Sequence, residues 1–332
     1  MRSITTRPVI NGLVQLVFML LLGAAATSVG LSESALASAG GNQRSRDKSP
    51  VLVTVNGTPI TENQAALYRL IHRLPDDASP EARRKIVEQL VDNELMRQLL
   101  QDRRAEPNPK RLAAGIETLK AQLRKRNSDS DKKLQPIGFS DAALRRELYL
   151  PLAWEYHLGR VLTQGTLQAE FERHRSEYDG TEIRASQIFI KTDASDPASQ
   201  VKDAGTKEAA DKLARLRSEV VAGKISFADA ARRDSEAPSA AQGGDVGYFA
   251  FRGPMPPEVC RVAFALKKGE VSRPFRTPFG VHLYTVTEIR PGNLSLEDVR
   301  SAVIRRLSTE LWDKLVAQAR STAKLEWQTA AP

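Results

Sequence analysis

The stretch Gly243-Gly244-Asp245-Val246-Gly247-Tyr248-Phe249-Ala250-Phe251-Arg252-Gly253-Pro254-Met255 decides the fold. Gly243, Gly244 and Gly247 suit a tight turn with φ above zero, which side chains resist, leading into a strand. Upstream, Ile183 to Ile190 alternates with period two as a strand. Ala209, Leu213, Leu216 and Val220 recur at three or four as an amphipathic helix ended by Gly223. Ser226 with Asp229 marks a second helix start, Glu258 to Leu266 supplies a third helical stretch, and Val281 to Ile289, rich in β-branched residues, closes the unit as a strand.

Two further motifs follow the opening stretch: Lys268-Gly269-Glu270-Val271-Ser272, then Phe279-Gly280-Val281-His282-Leu283. With Ile183-Arg184-Ala185-Ser186-Gln187-Ile188-Phe189-Ile190-Lys191 as a first strand, this ordered run resembles the parvulin family of peptidyl-prolyl isomerases. The resemblance covers about a third of the chain and implies an α+β domain, a four-stranded antiparallel sheet with helices, over residues 182–290.

The resemblance also implies a site. Met255 falls on the family's proline-pocket methionine, Val259 on its usual phenylalanine and Val246 on a position usually leucine, so the pocket stays apolar but shallower. His282 falls on the second of two family histidines, Thr277 on the threonine that hydrogen-bonds the pair, and Phe279 on a phenylalanine common in bacterial members. Two positions depart. Gln187 stands where the first histidine is expected, and Ala237 where the family has cysteine or aspartate. Glutamine can still donate and accept in a network with Thr277 and His282, whereas alanine offers no polar group; Glu236 and Asp234 are near enough in sequence for a shifted loop to bring one into place.

Rotating an X-Pro bond costs about 20 kcal/mol because resonance is given up at the twisted geometry. The chemistry needs an apolar slot and a weakly polar floor that strips water from the amide, and it needs no cofactor. The implied partners are unfolded or partly folded polypeptides with X-Pro bonds. Phosphate-directed recognition is set aside, since the loop from Thr192 to Gly205 carries Asp193, Asp196 and Asp203 against Lys202 alone.

Composition narrows the remaining classes. The chain has 332 residues, a net charge of +9, one cysteine and four histidines. The positive charge is spread rather than gathered in a stripe, which argues against a nucleic-acid partner; the densest cluster, Lys120 to Arg126 with Lys132 and Lys133, reads as a solvated helix end. Cys260, flanked by Val259, Val262 and Ala263, reads as a buried core residue and allows no intramolecular disulfide. His72, His157, His174 and His282 are spaced too widely for a metal-ligand pattern, and there is neither a GxxxxGK loop nor a GxSxG elbow.

At the other end of the chain, Arg2 and Arg7, an apolar run from Leu13 to Ala26 and small residues at Ala35 to Ala39 read as an export signal over 1–37. Localisation to the periplasm or cell envelope follows, with an uncleaved anchor as the alternative. Residues 38–50 read as a flexible lead. Val51 to Val55 forms a strand, Asn56-Gly57 a type I′ turn, and Thr61 with Gln64 a capping box; this VNGTPIT hairpin resembles the start of the exported parvulin chaperones of the SurA and PrsA kind.

Helices follow within a helical N-terminal chaperone-like domain over 51–181. Val87, Leu90, Val91, Leu95 and Leu99 share a face, and Lys110 to Arg126 forms the next helix. Ser140 caps another carrying Leu144, Leu148, Leu152, Tyr156 and Val161, which Pro151 kinks or breaks in two; Thr166 to Tyr178 forms a short polar helix. Over 291–332, Leu296, Val299, Val303, Leu307, Leu311 and Leu315 form a long stripe with no local partner. The resemblance implies that it returns to the N-terminal domain, a coiled-coil dimer being the competing use, so oligomeric state stays open. The function implied is an exported isomerase and folding chaperone with a partly degenerate site; the alternative is a holdase that binds chains without turning them over.

Overall fold

The computed structural model describes residues 49–75, 79–126, 139–192 and 201–328, with backbone alone at 201–204. The export signal, nearly all of the lead, Lys132 and Lys133, and Asp193 and Asp196 of the acidic loop lie outside the described residues. Along the chain come β1 (Val51–Val55), β2 (Thr58–Thr61), α1 (Glu62–His72), α2 (Pro80–Asp102), α3 (Pro109–Arg126) and α4 (Asp141–Val161). Then follow α5 (Gln164–Arg173), α6 (Arg175–Tyr178), β3 (Glu182–Lys191), α7 (Val201–Val221), α8 (Phe227–Asp234) and β4 (Asp245–Ala250). The last elements are α9 (Pro257–Ala263), β5 (Phe275–Thr277), β6 (Gly280–Arg290), α10 (Leu296–Thr322) and β7 (Leu325–Trp327). They form two compact units, 1–163 with 306–332 and 164–305.

In the first unit the hairpin closes through Asn56 and Gly57 at φ 50° and 82°, and Thr61 caps α1 with Gln64 returning the bond. The sheet order is β2-β1-β7, all antiparallel. β7, absent from the sequence reading, arrives from the far end of the chain: Asn56 N–H donates to the Lys324 carbonyl at 2.9 Å, and Lys324 N–H to Asn56 Oδ1 at 2.8 Å. Arg320 on α10 donates to the Asp92 carboxylate and to Glu88 Oε2 at 2.8 Å.

α4 corrects the single-stripe reading. It runs unbroken through Pro151. Leu144 and Leu148 pack with Leu112, Ile116 and Leu123 of α3, while Tyr156 and Val161 are exposed. A second face, Leu150, Ala153 and Trp154, packs with Met96 and Leu100 of α2 and Trp312, Leu315 and Val316 of α10. At roughly 100° per residue a strict four-residue spacing winds about 120° between Leu144 and Tyr156, so the stripe leaves the face it started on. The single polar helix expected over Thr166 to Tyr178 is two, α5 and α6, burying Leu167, Phe171 and Tyr178.

In the second unit the sheet order is β4-β3-β6-β5, every pair antiparallel. Alternation splits the sheet into two faces. Ile188, Val281 and Leu283 pack on Leu213 and Leu216 of α7 and Ala230 and Ala231 of α8. Ile183, Ala185, Tyr284 and Val286 pack on Val259, Cys260 and Ala263 of α9, which ends sooner than the Leu266 expected. The glycine turn behaves as its composition requires. Gly244 has φ +83°, and a Cβ there would lie 2.2 Å from the Gln187 carbonyl oxygen, so only glycine lets this turn lie against β3.

Candidate functional site

The register of β3 against β6 pairs Gln187 with Tyr284 and Phe189 with His282, and β5 pairs Phe275 with His282. These side chains therefore share the face that α9 covers, and four aromatic or imidazole rings meet there. Phe189 lies 4.6 Å from the His282 ring, Phe275 lies 5.6 Å from it, and Phe275 is 5.8 Å from Tyr284.

His282 is buried, and Thr277 Oγ1 lies 2.8 Å from its Nε2. Thr277 Oγ1 also accepts the Phe279 backbone N–H at 3.2 Å, which ties the hydroxyl to the backbone of the β5–β6 turn. The other ring nitrogen, Nδ1, is buried and has no hydrogen-bond partner among the described residues. Burial lowers the His282 pKa to about 4, so the ring is neutral at physiological pH.

Gln187 does not join this pair. Its Oε1 accepts the Tyr284 hydroxyl at 3.0 Å, and its backbone N–H donates to the Gly244 carbonyl at 2.8 Å. Ala237 is buried, and neither nearby carboxylate takes its place. Glu236 Oε2 accepts the Lys191 N–H at 2.8 Å, and Asp234 pairs with Arg233 at 2.7 Å and Lys212 at 3.5 Å. The shifted-loop expectation therefore fails because backbone and cationic partners already hold both groups.

Val259 is buried in one cluster with Tyr284 and Cys260, and Val246, Met255 and Phe275 are partly buried against it. Met255 is tied by its carbonyl to the Cys260 thiol at 3.7 Å, and burial pushes that thiol's pKa up. Phe279 stands apart, 64% exposed, beside the Thr277 bond rather than in the cluster. The structure thus gathers Gln187, Val246, Met255, Val259, Thr277 and His282 about one sheet face and adds Phe189, Phe275 and Tyr284. Strand alternation held the signal for these three, since 187 and 189, 275 and 277, and 282 and 284 must point the same way.

Among the described residues no group of three or more His, Cys, Asp or Glu is placed to hold a metal ion. No described helix is long and apolar enough to cross a membrane.

Residues 188–288 match the family model described as rotamase, PPIC-type PPIASE domain. The peptidyl-prolyl cis-trans isomerase Pin1 of Malus domestica is 38% identical over 112 residues, covering 31% of this chain and 92% of its own length. SurA of Haemophilus influenzae, named as a peptidyl-prolyl cis-trans isomerase, is 34% identical over 158 residues, covering 47% of this chain and 45% of its own. The match therefore spans less than half the length of that relative. A solved structure of PrsA from Bacillus anthracis overlaps 71% of this chain and 96% of its own at 18% identity, with a TM-score of 0.41.

Proposed function

The chain belongs to the parvulin, or PPIC-type, family of peptidyl-prolyl isomerases, and on that premise we propose an exported isomerase and folding chaperone. Its substrates are X-Pro bonds of unfolded or partly folded polypeptides outside the cytoplasm. The observation that carries this reading is the Thr277–His282 hydrogen bond standing beside the apolar cluster of Val246, Met255, Val259 and Phe275.

The chemistry follows from the barrier. Rotation gives up amide resonance, about 18–20 kcal/mol in water. An apolar wall that receives the pyrrolidine ring takes the imide out of water, where the polar, planar ground state is best solvated, and so narrows the gap to the less polar twisted state. Met255 and Val259 supply that wall. Neutral His282, held by Thr277, presents a floor without charge.

Buried Ala237 and the Nδ1 of His282, which has no hydrogen-bond partner among the described residues, favour a second reading, in which the domain holds proline-containing chains without turning them over. An isomerisation assay on a proline tetrapeptide with the full-length chain separates the two. Turnover that Met255→Ala weakens by about 1–3 kcal/mol in substrate binding supports the isomerase. Binding without turnover supports the holdase, and neither binding nor turnover refutes both.

A further inference from the structure

Two polar pairs stand on this face, Tyr284 with Gln187 and Thr277 with His282. Tyr284 is buried, and a buried phenol has to place its own proton. Among the described residues its partner is Gln187 Oε1, 3.0 Å away. Occupying Oε1 in this way decides which end of the amide is which. The Nε2 end, with two N–H groups, is turned away from Tyr284 and has no hydrogen bond among the described residues. The neighbouring His282 has its Nε2 engaged by Thr277 Oγ1. Glu236 and Asp234 are held elsewhere, by the Lys191 N–H and by Arg233 and Lys212.

We propose that Gln187 Nε2 donates a hydrogen bond to the prolyl nitrogen of the substrate as the X-Pro bond twists, and that Tyr284 is the positioning residue that holds the amide in its donating orientation. The inference rests on the isomerase reading above. In the planar ground state the nitrogen lone pair is delocalised into the carbonyl and accepts poorly. At 90° of twist it is localised on a pyramidal nitrogen and becomes an acceptor, so a donor placed there strengthens only in the transition state. No covalent bond forms or breaks and the proton stays on the glutamine. Tyr284 joins the two halves of the site: its ring packs in the cluster that holds Val259 and Met255, and its hydroxyl sets Gln187.

The assignment also explains why a glutamine serves where the family has histidine. A histidine there is donor or acceptor according to its tautomer and protonation state. The Tyr284–Gln187 pair keeps its donor at neutral pH, because burial raises the pKa of the phenol and the amide does not titrate.

The test is steady-state isomerisation of a proline tetrapeptide by the full-length chain, with Tyr284→Phe, Gln187→Leu and the double variant. Tyr284→Phe keeps the packed ring and removes one hydroxyl; Gln187→Leu removes the donor at similar volume. The expected result is a fall in kcat of about 3- to 10-fold in each single variant, the worth of one hydrogen bond, with KM unchanged. The double variant is expected to be no slower than Gln187→Leu alone, because Tyr284 acts through Gln187. Gln187→His, which restores a ring N–H, is expected to retain turnover. Parental kcat in both single variants overturns the inference and leaves the isomerase reading standing. Losses that multiply in the double variant overturn the positioning role of Tyr284. A parent chain without turnover overturns the isomerase reading and this inference with it.

Discussion

Replacing Trp312 with alanine tests how the end of the chain is held in the first unit. Trp312 is buried, and its ring meets Trp154 edge-on at 5.2 Å and 86°. Around it lie Met96, Leu100, Leu150, Leu315 and Val316, while the Trp154 indole N–H donates to Ser308 Oγ at 3.0 Å. Truncating a buried tryptophan to alanine costs about 3–5 kcal/mol, of which an edge-on ring pair supplies about 0.5–1.5 kcal/mol. Against a domain stability of about 5–15 kcal/mol this is a large fraction. The chain has three tryptophans, Trp154, Trp312 and Trp327, all in the first unit, so tryptophan fluorescence follows that unit alone. With a urea slope of about 1–3 kcal/mol/M, the midpoint of Trp312→Ala should fall by about 1–5 M. Leu307→Ala, at a half-buried position of the same helix, should cost about 1 kcal/mol. A midpoint shift for Trp312→Ala no larger than that of Leu307→Ala would refute the packing argument.

Three further outcomes are expected. Gly244→Ala should destabilise the second unit by more than Gly269→Ala: both have positive φ and share a conformational cost of about 1–2 kcal/mol, but only at Gly244 would the new Cβ meet the Gln187 carbonyl oxygen, at 2.2 Å. Equal melting temperatures for the two variants would contradict this. Arg320→Met should cost the first unit about 1–3 kcal/mol, since buried Asp92 loses the charged bond from Arg320, and adding Asp92→Asn should recover part of it in the same fluorescence titration. His282 sets a pH dependence whose sign is fixed by its lowered pKa. Between pH 6.5 and about 4 the unfolded imidazole takes up a proton that the buried ring does not, so stability contributed by this group is constant above pH 6.5 and falls as the pH drops towards 4. Calorimetry of the parent and His282→Gln should show a shallower acid limb in the variant; identical limbs would mean that the ring protonates freely when folded.

Much of the second unit was legible because its signals are local. Three glycines, a strand alternation, a helix stripe and a serine cap each describe a few neighbouring residues, and the folded chain has them at the expected places: Gly243, Gly244 and Gly247 all at positive φ, and Ser226 capping α8. The family resemblance placed Thr277 and His282, and the two lie at hydrogen-bond distance. What stayed hidden at the site was the partner of Gln187. Nothing near residue 187 in sequence indicates Tyr284, which comes opposite it only through the β3–β6 register.

In the first unit the division is the same. The hairpin turn and the Thr61 capping box are read from adjacent residues, and the amphipathic character of α4 and α10 from their spacing, because backbone preference and side-chain period act over one or two turns of chain. Which faces of those helices are buried was decided by neighbours. α4 is covered on two sides by α3 and by α2 with α10, so Trp154 and Trp312, outside the expected stripes, meet edge-on in its core. β7 is the limiting case. Three residues are too few to show a period, and Leu325–Trp327 is a strand only because β1 offers it an open row of backbone donors and acceptors, a hydrogen-bond demand that exists once the chain has folded back and cannot be read from either segment alone.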